Sequence, residues 1–315
     1  MLSSTADHLY WMARYTERAE NTARMLDIHL QSSLLAGGRN ESQHNQAARA
    51  VLAISELEPA FAKRKVPMNS DSVLRFMVAD SENSSSIQNA LYSARENARA
   101  VRGAITTELW ETINVTWLEL QPRLQNDAWM QDKPAFFGWV KHRSHLTRGV
   151  TAGTMPRDDA YRFVAVGTAL ERADNVARLL DVKFYEGAAA ELKDWDAKGE
   201  YYHWAAILRS VSGFEIYRKT YRDTITPARV AELLILRPDM PRSLLAAVNS
   251  LCNHLEKLAN KRSANTQRQA GLLRAQIQFT HIDDILQQGL HAYLTQFLRS
   301  INAIGAGIGQ DFLGA

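Results

Sequence analysis

"ERAENTARMLD" (Glu17–Asp27) and "ERADNVARLLD" (Glu171–Asp181) agree at eight of eleven positions, and Glu20 and Asp174 exchange one carboxylate for another. At about 100° per residue, Glu17, Asn21 and Arg24 fall on one helical stripe. Asp27 and Glu20 lie at its edge and Arg18 on its far flank. Met12, Ala19, Ala23, Leu26 and Leu30 gather on the opposite side, while Tyr10 and Ile28 stand in line with the polar stripe. The second copy repeats this frame with Val164 and Val182 around Glu171, Asn175 and Arg178. A solvated helix face is not closed by apolar residues at both ends. Each copy therefore reads as a long helix, apolar around most of its girth, with a narrow carboxylate–amide–guanidinium stripe.

The similarity continues outward. A shift of 157 positions lays "AISELEPAF" (Ala53–Phe61) on "SVSGFEIYR" (Ser210–Arg218). The same shift lays "VLRFMVADSENSSSIQNAL" (Val73–Leu91) on "VAELLILRPDMPRSLLAAV" (Val230–Val248), with Ser86 on Ser243. Apolar residues three and four apart predict helices at 4–35, 43–64, 70–80, 84–108, 109–120, 134–147, 156–187, 200–222, 227–236, 241–260 and 266–301. Gly37–Asn40 reads as a helix stop, and Thr154 with Pro156 and Thr226 with Pro227 as helix starts. The chain thus reads as all-α, a tandem duplication of a helical unit packed about a pseudo-two-fold axis. Residues 1–153 form the first repeat and 154–315 the second, in one continuous globule. The Gly-rich tail Asn302–Ala315 is expected to leave the last helix.

Composition narrows the function classes. The 315 residues are 46% hydrophobic and 23% charged, with a net charge of +3 and basic residues spread evenly. That gives no footprint for nucleic acid or an acidic membrane surface. A single cysteine, Cys252, excludes an intrachain disulfide. The N-terminus lacks a basic segment followed by an apolar core, and no run of about 18 apolar residues occurs. A cytoplasmic protein is expected.

Buried charges require partners. If the two stripes face each other, Glu17 is expected to meet Arg178 and Glu171 to meet Arg24. Three readings of Glu17, Arg18, Asn21, Arg24, Glu171, Arg172, Asn175 and Arg178 stay open. They form an ion-pair network fixing helix register, a polar pocket for a ligand carboxylate or peptide, or a site in which the glutamates act as acid and base. Arg95, Arg99 and Arg102 share one helix face, and Arg157, Arg242 and Ser243 stand near helix starts. Together they are the candidate anion-binding residues. His142 with His145, and His281 with Asp284, offer only two ligands each, so no metal and no cofactor is expected. Cys252 has no catalytic histidine signature around it.

Met1–Leu30, "SARENARAVRGAITTELWETIN" (Ser93–Asn114), Thr154–Val182 and "LILRPDMPRSL" (Leu234–Leu244) resemble the bacterial alpha-E family, which is helical and carries a Glu-Arg motif. The resemblance runs through the whole chain. Glu17/Arg18 and Glu171/Arg172 match that motif, and His203 and Trp204 are expected to precede a helix as in the family. Where relatives carry a proline-containing loop, this chain has "DSENSSS" (Asp80–Ser86). The resemblance implies a setting beside a circularly permuted ATP-grasp ligase-like protein and a transglutaminase-like cysteine peptidase. It implies a part in making or modifying peptide-type amide bonds. The expected role is an accessory, substrate-binding or scaffolding partner with a peptide or amino-acid ligand. The alternatives are an amide-bond-forming enzyme component that uses the Glu/Arg pocket, and a purely structural interaction module.

Overall fold

A computed structural model of the chain describes residues 1–35, 41–187 and 197–314. Among these residues every regular element is helical. In order they are α1 (Ser3–Leu35), α2 (Glu41–Ile54), α3 (Glu58–Ala62), α4 (Ser70–Ala79), α5 (Ile87–Ala100), α6 (Thr107–Leu124), α7 (Lys133–Thr154), α8 (Asp159–Gly187), α9 (Ala197–Ser210), α10 (Phe214–Tyr221), α11 (Pro227–Leu236), α12 (Leu244–Lys257), α13 (Ala264–Phe279), α14 (Ile282–Gln288) and α15 (Leu290–Ile308). A 3-10 turn follows α6 at Gln125–Met130, and a π turn follows α15 at Gly309–Leu313. The protein is all-α. No described helix is long and apolar enough to cross a membrane.

Helices α1 and α8 lie at the centre because they are apolar on nearly every side. Leu9, Met12, Ala19, Ala23 and Leu26 are buried on one flank of α1, and Tyr10 and Ile28 on the other. Val164, Val166, Ala173, Ala177 and Leu180 do the same for α8. The two helices run side by side in the same direction: Tyr10 faces Gly167, Arg14 and Arg18 reach Glu171, and Glu17 reaches Arg172. Close approach depends on Gly167, where a β-carbon would strike the Tyr10 carbonyl. Helices α5, α7 and α9 pack on α1, while α12, α15 and α2 pack on α8. One hydrophobic core joins Ala19, Leu26, Leu74, Met77, Ile87 and Phe137. A larger one joins Leu9 and Met12 of α1 to Val166, Trp204, Leu234, Leu251 and Leu294.

Helix ends follow local side-chain chemistry. Asn69, Ser86, Thr106, Asp132, Thr226 and Ser243 each accept a backbone N–H from the first turn of the helix they precede. The Asp80–Ser86 loop holds its shape without proline. Asp80 accepts the N–H groups of Glu82 and Asn83, and buried Asn83 donates to the Phe76 carbonyl. Arg64 closes the loop on Asp80 and Glu82.

Several boundaries differ from the periodicity. The 43–64 and 200–222 segments each break in two, at Glu56 (φ 57°) and Ser212 (φ 55°), because a left-handed residue ends a helix. The 266–301 segment breaks at Thr280 and again at Gly289, whose φ of 93° suits glycine. Thr154 ends α7 rather than starting α8. Its hydroxyl donates to the Val150 carbonyl, and Asp158 takes the capping role by accepting the Tyr161 N–H. His203 and Trp204 lie inside α9 and are buried. The Gly-rich tail does not leave its helix. Gly305 and Gly307 let α15 press against Leu170 and Thr266, and Phe312 and Leu313 are buried beyond them. The chain ends meet there: a β-carbon on Gly314 would stand 3.5 Å from Ser3. Gly37–Asn40 and the side chain of Val182 lie outside the described residues.

Candidate functional site

The two Glu-Arg motifs cross-pair where α1 and α8 touch. Arg18 donates to Glu171 through Nε (2.6 Å) and Nη2 (3.1 Å). Arg172 donates to Glu17 through Nε (3.0 Å) and Nη2 (3.0 Å). Both are two-pronged guanidinium–carboxylate bonds, the strongest geometry available to these groups. Arg14 adds a second guanidinium to Glu171 at 2.7 Å. Arg148 of α7 and Arg242, in the loop before α12, add two more to Glu17 at 2.8 and 3.0 Å.

This differs from the expected Glu17–Arg178 and Glu171–Arg24 pairs. Side-by-side helices running the same way bring equal levels together. Arg24 and Arg178 stand seven residues further along, about 10 Å from the glutamates. Each instead turns back to the acid four residues before it, Arg24 to Glu20 and Arg178 to Asp174, both at 2.8 Å. Arg24 also donates to the Ser210 carbonyl, and Arg178 to the Ile54 carbonyl at 3.1 Å and to Glu56 at 2.8 Å. Two arginines thereby satisfy carbonyls at the ends of α9 and α2.

Glu20, which the helical stripe places at the edge, is fully buried. It accepts from Arg24, Arg148, Arg242 and the Ser144 hydroxyl, and it meets His145 at 3.2 Å. Arg148 and Ser144 carried no sequence signal of their own. Their four-residue spacing on α7 puts both on the face turned to α1, and the polar run "HRSH" just before Arg148 was the available clue.

The carboxylates are held ionised. Burial alone would raise the Glu17 carboxyl, but Arg172, Arg242 and Arg148 outweigh it and the repulsion from Glu20, lowering its pKa to about 2. Burial also opposes ionisation of Glu20 and Glu171; at Glu20 the His145 hydrogen bond with Arg242, Arg148 and Arg24 prevails, and at Glu171 Arg18 and Arg14 do. Arg242 moves the other way. Burial and the like charges of Arg24 and Arg172 outweigh Glu17 and Glu20 and lower it to about 10, which leaves it charged at neutral pH.

Two cavities flank the pairs. One, of about 220 Å³, is bordered by Arg18, Asn21, Arg24, Glu171, Asn175 and Arg178. Asn175 donates to the Glu171 carbonyl, whereas the buried Asn21 Nδ2 has no partner. The other, of about 340 Å³, lies between α1, α7, α8 and α12 and is bordered by Glu17, Arg148 and Arg172. The eight motif residues are therefore all at this centre, six on one cavity and two on the other.

The six candidate anion-binding residues do not form one site. Arg95 bonds Asn114 and Glu96, Arg99 shares Glu96, and Arg102 lies over the Trp110 ring. Arg157 lies over Tyr161 and donates to the Ala152 carbonyl. Arg242 belongs to the buried centre instead. Ser243 caps α12 and donates to the Arg237 carbonyl. Each of these groups has a carboxylate, ring or backbone group within reach. No group of three or more His, Cys, Asp or Glu able to hold a metal occurs among the described residues. Cys252 is buried in α12, which pushes its thiol pKa up.

The chain is similar to an uncharacterised protein of Mycobacterium bovis and to uncharacterised proteins of two Mycobacterium tuberculosis strains. Each is 21% identical over 315 residues, covering 94% of this chain and 35% of the relative. The chain thus spans about a third of the length of these curated relatives. No solved structure matches it. The family model described as a predicted alpha-helical domain with a conserved ER motif matches residues 1–313, and with its two ER pairs locked at the helix crossing this chain belongs to that Alpha-E family.

Proposed function

We propose that this chain is a non-catalytic accessory partner of an ATP-grasp peptide-ligase-like enzyme, binding a peptide or amino-acid substrate or scaffolding the complex. One observation carries the choice between binding and catalysis. Glu17, Glu20 and Glu171 are each clamped by two or more arginines and held ionised. A general acid or base works best with a pKa near the working pH. These carboxylates are far from it, so they suit a fixed frame that presents guanidinium edges to the adjoining cavities. The ligase-like partner, the transglutaminase-like peptidase and the cytoplasmic setting rest on the family resemblance. The greater length of the mycobacterial relatives accords with a unit that works alongside other domains.

The same reading takes the chain as a tandem duplication packed about a pseudo-two-fold axis. The support is positional. α4 and α11 start 157 residues apart, as do α5 and α12, α6 and α13, and α7 and α15. The left-handed breaks Glu56 and Ser212 and the caps Ser86 and Ser243 correspond. The ER pairs are reciprocal, and α2 lies on α8 while α9 lies on α1.

The test is co-expression with a circularly permuted ATP-grasp protein of the kind the family resemblance implies, followed by pull-down. A stable complex at micromolar concentration is expected, and no complex at that concentration refutes the accessory role. The arginine clamps on Glu17, Glu20 and Glu171 favour one other reading, a purely structural module. On that reading Glu17→Gln lowers the melting temperature without changing pathway output wherever the fold survives.

A further inference from the structure

The charges at the centre do not balance. Glu17, Glu20 and Glu171 bond directly to Arg14, Arg18, Arg24, Arg148, Arg172 and Arg242, six guanidinium groups against three carboxylates. Buried charge without a counter-charge is costly. Water relieves part of the excess at Arg14 and Arg18, whose side chains are 18% and 23% exposed. Arg148, at 28%, borders the 340 Å³ cavity. Its bonds to Glu17, Glu20 and Ser144 all leave from Nη1. Nε and Nη2, the edge that grips a carboxylate two-pronged, have no partner among the described residues. Arg172 likewise spends Nε and Nη2 on Glu17 and keeps Nη1.

The cavity is long as well as charged. On α8 its border runs from Tyr161 to Arg172, a rise of about 16 Å. An extended chain of about five residues spans that distance at roughly 3.3–3.6 Å each. The volume falls within the range of small-ligand sites. Small side chains make up much of its wall, with Ala13, Ala152, Ala165, Ala169, Ala246 and Ala247. Thr16, Thr147, Thr151 and Thr168 also border it, and each spends its hydroxyl proton on the carbonyl four residues before it. Their oxygens remain as acceptors, suited to ligand N–H groups. At the Tyr161 end, His254 has a buried Nδ1 with no partner. A bare inorganic anion would answer the charge but leave this length empty.

We propose that the cavity between α1, α7, α8 and α12 binds the C-terminal segment of a short, small-residue peptide, its carboxylate docked on the open edges of Arg148 and Arg172. This deepens the substrate-binding reading above and rests on it.

The test is calorimetric titration of the full chain with N-acetyl-trialanine as the acid, its C-terminal amide, and inorganic phosphate. The acid is expected to bind at least tenfold more tightly than the amide and more tightly than phosphate. Arg148→Gln should weaken the acid at least tenfold. Ala165→Leu fills the cavity and leaves every arginine in the sequence, so it carries the test if Arg148→Gln does not fold, and it should weaken binding equally. Equal affinity for acid and amide, tighter binding of phosphate, no binding at all, or full affinity in folded Ala165→Leu overturns the proposal. A failed titration with an intact pull-down refutes this site alone. A failed pull-down with acid binding intact refutes the partner reading alone.

Discussion

Glu17→Gln tests the buried centre most directly. The side chain is 1% exposed and accepts from Arg172 at 3.0 Å twice, from Arg148 at 2.8 Å and from Arg242 at 3.0 Å. Glutamine keeps the shape but removes the charge, and it turns one acceptor into a donor facing guanidinium groups. Removing one partner of a buried pair typically costs about 3–5 kcal/mol, because the other charges stay buried without it. The excess of positive charge places this substitution at the upper end. At about 2.1 cal/mol/K per residue the unfolding entropy is roughly 0.7 kcal/mol/K, so the melting temperature should fall by about 5–8 °C. Glu171→Gln should cost less, because water reaches Arg14 and Arg18 and can replace the lost carboxylate. Scanning calorimetry supplies both numbers, and a double-mutant cycle of Glu17→Gln with Arg172→Gln isolates the pair. A shift under about 1 °C for Glu17→Gln, or a coupling below about 0.5 kcal/mol, would refute the reasoning.

Gly167→Ala forces a β-carbon into the Tyr10 carbonyl, which is backbone and cannot step aside. Overpacking of this kind costs about 1–3 kcal/mol, and a urea midpoint equal to wild type would count against the close crossing of α1 and α8. Ser243→Ala removes a cap that holds both the Ala246 N–H and the Arg237 carbonyl, so about 1 kcal/mol should be lost in the same assay. Acid should unfold the chain through its glutamates. The folded Glu17 pKa of about 2 lies below its ordinary 4.5, so its contribution is complete above about pH 4.5 and is lost as pH falls toward 2. Stability measured between pH 6 and 2 should drop over that window, and the drop should be shallower in Glu17→Gln.

The sequence disclosed the helices and the central pair because both depend on local spacing. Apolar residues around most of "ERAENTARMLD" place α1 inside, and Tyr10 and Ile28 are buried as that frame requires. Ser86 and Ser243 coincided in the aligned blocks, and both cap helices. What spacing cannot convey is the direction and level at which two helices meet. That alone decides whether Glu17 finds Arg178 or Arg172. Arg148 and Arg242 come from segments 131 and 225 residues away in sequence, so no local pattern pointed them at Glu17. The helix breaks at Glu56 and Ser212 were also hidden, since neither position holds the glycine that usually marks a left-handed turn.

The closeness of Ser3 and Gly314 sets the geometry of any fusion to this unit. A chain that enters and leaves at one spot can be inserted into a loop of another domain without prising that loop open. It can also be circularly permuted with only a short joining peptide. Whatever is tethered to either end emerges on the same side of the molecule, so fusion order has little effect on which face a companion domain approaches.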